Sequence, residues 1–403
     1  MSAPDRRSRL EDIDAIPLTQ PKKKKTWLIF LLCAVALVAV AALCVFGYKY
    51  YVQNRPTADA VYDAHVLRTH TASADAGKTV YAPYKGGIVI ATQEQTSFYN
   101  TKGELKWQLD INVHNPILKI SGSYILLAGI DAKDLYILRD GEILIHTTTT
   151  YGILNAGIAS NGTFFIIEDE PYYKGLLTVR DNKNKDLFVW HSGTSYIIDA
   201  AFNERTSQIA VSTLSANIHA AHENTEEAEA ADYSSALLLF KMHENAPYQT
   251  YTYDNTIAGN VYYASGRYII VTDSAVHAYA STNGEHAWTY DFLPHTLQRV
   301  DFESGRLALL TMAEDGSQTL QVLKADGKLT GEKISGLKSA NTVCLLKNIL
   351  AVGNSTNIDY YNLRGALQYH VALPKAYNDI CLFNNGQYLL GTNNMVSDLL
   401  STK

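Results

Sequence analysis

The sequence predicts an all-β chain folded as a β-propeller, on two observations: a strand–turn–strand phrase recurs at a spacing near forty residues, and helix-forming runs are scarce. The phrase is a hydrophobic strand, a Gly or Asn turn and a solidly apolar strand. It reads ILKISGSYILLA from Ile117, AGIASNGTFFII from Ala156, VYYASGRYIIV from Val261 and VDFESGRLALL from Val300. VCLLKNILAV from Val343 and ICLFNNGQYLL from Ile380 are further copies, while KGGIVIAT from Lys85 and IDAAFNERTSQIAV from Ile198 are weaker ones. With turns at Gly87, Gly122, Gly162, Arg205, Gly266, Gly305, Asn348 and Gly386, the steps are 35, 40, 43, 61, 39, 43 and 38 residues. A second turn in many periods (NTKGE, LRDGE, STNGE, KADGK, NLRGA) carries the Gly that a tight hairpin needs for positive φ. The reading is eight four-stranded blades, with seven as the alternative if the chain ends pair differently.

Taken in order, residues 1–25 are polar, contain Pro4, Pro17 and Pro21, and read as a disordered cytoplasmic tail. Thr26 to Tyr48 holds no charged residue and is long enough, at about 1.5 Å per residue, to span a hydrocarbon core of roughly 30 Å. Lys22, Lys23, Lys24 and Lys25 stand immediately before it, so a transmembrane helix at 26–48 would keep the N-terminus in the cytoplasm. A cleaved signal peptide, the alternative, has an apolar region of only about 7–15 residues. Residues 49–60 then form a linker and 61–403 the extracytoplasmic propeller at the cytoplasmic membrane. The eighth copy, from Ala376, has room for three strands, and Ala60–Thr69 can supply the fourth and close the ring. The long step of 61 residues contains an acidic insertion at about 215–234, expected to be an exposed loop on the fourth blade.

Two turn-and-strand units carry tryptophan: Tyr99-Asn-Thr-Lys-Gly103-Glu-Leu-Lys-Trp107 and Ala278-Tyr-Ala-Ser-Thr-Asn-Gly284-Glu-His-Ala-Trp288. The second resembles the docking motif of quinoprotein propellers, and the first fits its latter half. The resemblance implies that Trp107, Trp288 and, in DLFVWHSG, Trp190 pack between adjacent blades. The motif's acidic position is held here by Ala280 and Asn100, and Ile145, Gly331 and Tyr369 stand where other repeats would carry the tryptophan. The layout as a whole resembles a family of single-span Gram-positive proteins with an exported propeller-like domain of unknown function. That resemblance implies no activity.

The motifs that would carry chemistry are weak. Ala72-Ser-Ala-Asp-Ala-Gly77-Lys78-Thr79 has the look of a phosphate loop, but VYAPY follows where a helix must begin. Quinone catalysis is expected to need a Cys-Cys pair and an acidic metal cluster, and the four cysteines (Cys33, Cys44, Cys344, Cys381) are all isolated. Cys344 and Cys381 occupy equivalent places in successive repeats, too far apart for a disulfide, and read as buried free thiols. His219 and His222, followed by Glu223, lack the order of a zinc hydrolase helix. Asn182 to Asp186 lacks the glycine of a calcium loop and reads as a hairpin turn. No G-x-S-x-G elbow is present. Beyond residue 26 there are 27 basic against 36 acidic residues, a poor surface for nucleic acid. The expectation is a non-enzymatic scaffold without cofactor or metal, binding an envelope protein or a glycan. The insertion, with His219, His222, Glu223, Glu226, Glu227 and Glu229, is the candidate partner loop. The alternative is an extracytoplasmic enzyme or ligand sensor using the propeller channel.

Overall fold

The computed structural model describes residues 26–53, 60–71, 78–217, 232–393 and 396–402. The chain divides into two units, Met1–Pro56 and Thr57–Lys403. In the first, a helix spans Thr26–Gln53, so 49–53 of the expected linker is helical. Its side chains are described over 33–48, all exposed, among them Leu37, Leu43 and Phe46. That stretch covers only about 24 Å. Among the described residues no helix is long and apolar enough to cross a membrane. The tail, with Lys22 to Lys25, lies outside the described residues.

The second unit is an eight-bladed propeller. Four successive strands form each of the first six blades: 80–109, 116–148, 153–191, 196–254, 258–291 and 296–337. Blade 7 (342–372) has four of its own and a fifth added, and blade 8 (379–401) has three of its own and one borrowed. The first strand of each blade lies innermost, and these strands contact one another around a central channel. The second strands are the apolar ones the sequence pattern marks: Gly87–Ala91 and Phe164–Glu168 are buried at every position. They are covered on both faces because each blade packs its sheet against two neighbours. Leu126 and Ile137 of blade 2, for example, share a cluster with Ile153 and Phe164 of blade 3.

Closure differs in detail from the expected single strand at Ala60–Thr69. Val61–Asp63 instead adds to the outer edge of blade 7, parallel to His370–Ala372. The chain then steps across at Ala64, and His65–Thr71 completes blade 8 against Val396–Ser401. Splitting the segment covers the blade 7 edge with three residues and fills the blade 8 vacancy with seven. The joint is fixed by Asp398, 1% exposed, which accepts from Thr69 Oγ1 (2.7 Å), Tyr377 Oη (2.8 Å) and Lys375 Nζ (2.7 Å). Burial alone would raise its pKa, but the bonds from Lys375, Thr69 and Tyr377 outweigh that and hold it below the usual carboxylate value.

The insertion is shorter than expected. Strand pairing continues through Asn217↔Asp232, so Ser215–Asn217 and Asp232–Ser234 belong to the blade. The remaining 218–231, with His219, His222, Glu223, Glu226, Glu227 and Glu229, lies outside the described residues.

The closure network yields a prediction. Asp398→Ala leaves Lys375 and Tyr377 without their buried partner and should cost about 3 kcal/mol in urea unfolding. Because the folded-state pKa of Asp398 is depressed, its contribution is full above the unfolded value of about 4 and is lost as pH falls through the folded one. The wild type should therefore lose more stability than Asp398→Ala on acidification below pH of about 4.

Candidate functional site

Three places on the propeller can carry function: the seams between blades, the channel, and the loops of one face. At the seams, the indole of Trp107 in blade 1 lies on Gly141 in the outer turn of blade 2, where a Cβ would meet its ring at 2.8 Å. Trp288 in blade 5 does the same at Gly327 of blade 6, where a Cβ would meet the ring at 2.6 Å, and its Nε1 donates to the Ala325 carbonyl at 3.0 Å. Both glycines have positive φ, so the turn and the indole's close approach require glycine together. Trp190 of blade 3 packs on Phe240 of blade 4, with ring centroids 5.0 Å apart. Blade 4 has no tryptophan at its outer seam. There Tyr251 stacks on Tyr279 at 3.9 Å and donates to the Gly284 carbonyl, while Tyr253 and Tyr279 share a hydroxyl bond of 2.7 Å. These are packing contacts between blades.

The channel is walled by the innermost strands and holds a cavity of about 540 Å³ on the side of blades 6, 7, 8 and 1, and one of about 470 Å³ along blades 2 to 6. Two of its buried carboxyls are engaged with the wall. Asp199 accepts from Val261 N (3.1 Å) of blade 5 and from Asn155 Nδ2 (3.1 Å) of blade 3. Asp301 of blade 6 accepts from Leu345 N (2.6 Å) of blade 7. Burial raises the pKa of both carboxyls, against the pull of those amide donors. They stitch neighbouring inner strands where no sheet ladder runs. Cys344 donates to Ile380 O at 3.3 Å, and burial pushes its thiol up to about 12, so it stays protonated and unreactive at neutral pH. Cys344 and Cys381 are free thiols. Among the described residues no three His, Cys, Asp or Glu side chains are grouped to hold a metal. Lys78 and Thr79 lead into the strand Val80–Tyr84, and Asn182 to Lys185 form a hairpin turn in which Asp181 accepts from Lys183 N and Lys185 N at 2.9 Å each.

The loop face carries a feature the sequence reading missed. In blade 3 the loop after Phe164–Glu168 reads Asp169-Glu-Pro-Tyr172-Tyr173-Lys174, and Tyr172 is 90% exposed. Tyr173 and Tyr196 are also exposed. The loop is tightly held: Lys174 N donates to Ser192 O (2.7 Å) and Ser192 N to Gly175 O (2.9 Å). His191 packs on Tyr173 with centroids 4.9 Å apart and bonds the buried Glu170 at 2.6 Å through Nδ1. Lys174 Nζ donates to Tyr196 Oη at 3.1 Å and lies over its ring. Ser195 and Ser215 share a hydroxyl bond of 2.6 Å, joining the segment between blades 3 and 4 to the long hairpin of blade 4. That hairpin pairs 208–217 with 232–241, ten residues a side, against four to seven in the corresponding strands of the other blades. The available signal was PYYKG, two adjacent tyrosines in a polar loop between apolar strands.

The model of the Family of unknown function (DUF5711) matches residues 58–399. The chain belongs to the DUF5711 family. No curated protein matches it. Among solved structures, BamB from Moraxella catarrhalis is similar at TM-score 0.52 and 12% identity, over 84% of this chain and 99% of that one. The computationally designed Ika8 protein gives 0.57 and 11%, over 85% and 99%. The C-terminal WD40 domain of Sif2 gives 0.59 and 8%, over 85% and 99%. At these identities the likeness is one of fold, and it places this DUF5711 chain among propellers.

The seams predict a coupled stability effect. Trp288→Ala should cost about 3 kcal/mol and Gly327→Ala about 1–3 kcal/mol. The double variant should cost clearly less than their sum, because the added methyl enters the space the indole leaves. Urea unfolding of the four proteins measures the coupling.

Proposed function

We propose that the chain is a membrane-anchored, extracytoplasmic propeller acting as a non-enzymatic scaffold for a partner at the cell envelope. The observation that carries this reading is the elongated blade 4 hairpin standing beside three exposed tyrosines, of which Tyr173 and Tyr196 are held in place by His191 and Lys174. The extra length of the hairpin lies beyond the blade core, and immobilised exposed tyrosines give contact area at low entropic cost. Anchoring rests on the charge-free run Thr26–Tyr48 behind Lys22–Lys25, together with the helical backbone over Thr26–Gln53. The carboxyls in the channel wall support the non-enzymatic part, since they are occupied by strand amides.

Two variants test the reading. Asn217 pairs with Asp232, so 218–231 can be replaced by Asn-Gly, which turns a two-residue hairpin without disturbing the blade. The second is Tyr172→Ala with Tyr196→Ala. Both should leave unfolding stability within about 1 kcal/mol. Both should lose the same cross-linked envelope partner from the native cell. Unchanged partners in both would overturn the site. Protease added to intact cells should remove the propeller and spare an epitope placed before Lys22; the reverse result would overturn the topology.

A further inference from the structure

The outer edges of a propeller's sheets are potential pairing templates, and natural sheets blunt them with bulges, charges or covering strands. Seven of the eight outer pairings here carry a register shift, as at Phe98/Tyr99, Ile143/Ile145, Val179/Arg180, Ala278/Tyr279 and Val66/Arg68. The blade 7 edge is covered as well, by Val61–Asp63. Blade 4 is the exception. Its outer strand Gln249–Asp254 (QTYTYD) pairs with Ser234–Leu239 without a shift, contains no Lys, Arg or Pro, and has no further strand beyond it among the described residues. It is also held rigid, because Tyr248 and Tyr251 donate to carbonyls of blade 5 and Tyr253 bonds Tyr279 there. Thr250, Thr252 and Asp254 are exposed.

We infer that this edge pairs with the same edge of a second copy of the chain, antiparallel across a two-fold axis. The argument for a second copy is self-complementarity. A two-fold axis normal to the sheet keeps side chains of like face opposite one another. Centred on Thr252, it sets Thr252 against Thr252, Thr250 against Asp254 on the same face, and Tyr251 against Tyr253 on the other. Threonine pairs, a hydroxyl against a carboxylate and an aromatic pair are favourable cross-strand neighbours, and no like charges meet. A six-residue edge makes a small interface, so the dimer is a weak one, readily populated where copies are concentrated. The inference uses blade 4's outer edge alone and does not depend on the scaffold reading above.

The full-length chain in detergent, followed by sedimentation equilibrium, should show a concentration-dependent dimer. Thr252→Lys places two ammonium groups opposite one another at the axis and should weaken the dimer by roughly fivefold or more. In a background with Cys33 and Cys44 changed to Ala, Thr252→Cys should cross-link into a covalent dimer under mild oxidation. Facing residues at such an axis lie within disulfide reach, with Cα atoms about 4.5–5.5 Å apart. Thr289→Cys, the equivalent position on the bulged outer strand of blade 5, should cross-link several-fold more slowly. Native mass and unfolding stability of each variant show that it is folded. A monomer at every concentration with no cross-link from Thr252→Cys overturns the inference. So does a dimer that Thr252→Lys leaves intact, or an edge found bound to a strand of a different protein.

Discussion

The propeller depends on the bond between its two ends. Seven blades can each satisfy their own ladders, but a ring of sheets is stable only when every sheet face has a neighbour, and the last blade has three strands of its own. His65–Thr71 supplies the fourth, and the buried carboxylate of Asp398 ties that strand to Lys375 and Tyr377 on the loop entering the blade. Ordinary sheet pairing would accept several registers. The hydroxyl–carboxylate bond from Thr69 to the buried Asp398 fixes the one observed.

Elsewhere neighbouring blades meet without backbone ladders, and the chain uses two other devices to lock them. On the outside a large aromatic ring from one blade lies on a glycine turn of the next, as Trp107 does on Gly141 and Trp288 on Gly327. On the inside a carboxylate reaches across to a backbone amide, as Asp199 does to Val261 and Asp301 to Leu345. The first device gains from dispersion and exclusion of water; the second satisfies amides that the inner strands would otherwise leave bare. Blade 4 replaces the indole with tyrosines that both stack and donate, and its outer strand pairs without a register shift.

Much of the architecture was readable from residue order because a repeat advertises itself. The apolar second strands and the glycine turns recur at intervals set by the four-stranded blade, so period and strand count could be read from the chain. The weaker copy at Ile198 was still recognisable, since Asn203 to Thr206 make the turn even without glycine there. Less was visible where an outcome depends on pairing across long separations. That Val61–Asp63 would run parallel on blade 7 while His65–Thr71 joined blade 8 depends on Ala64 sitting at the step between them, which no local pattern encodes. Ser215 and Ser234 looked like loop by composition, and became strand because the apolar hairpin behind them extends its ladder. The exposed tyrosines were overlooked for a related reason: tyrosine is common throughout this chain, and only burial separates Tyr268, inside the core, from Tyr172, outside it.

The closing strand also fixes the order in which the molecule can be made. Thr69 and Asp398, hydrogen-bonded in the finished ring, are 329 residues apart in the chain. Ribosomes add residues from the N-terminus at about 5–20 per second, so His65–Thr71 emerges first and waits tens of seconds for its partner. Blades 1 to 6 can form hairpin by hairpin as they appear, by local contacts. The ring cannot shut until the final residues are available. Through that interval the oldest strand is an unpaired ribbon, and the nascent protein is an open arc with two raw sheet faces that need shielding.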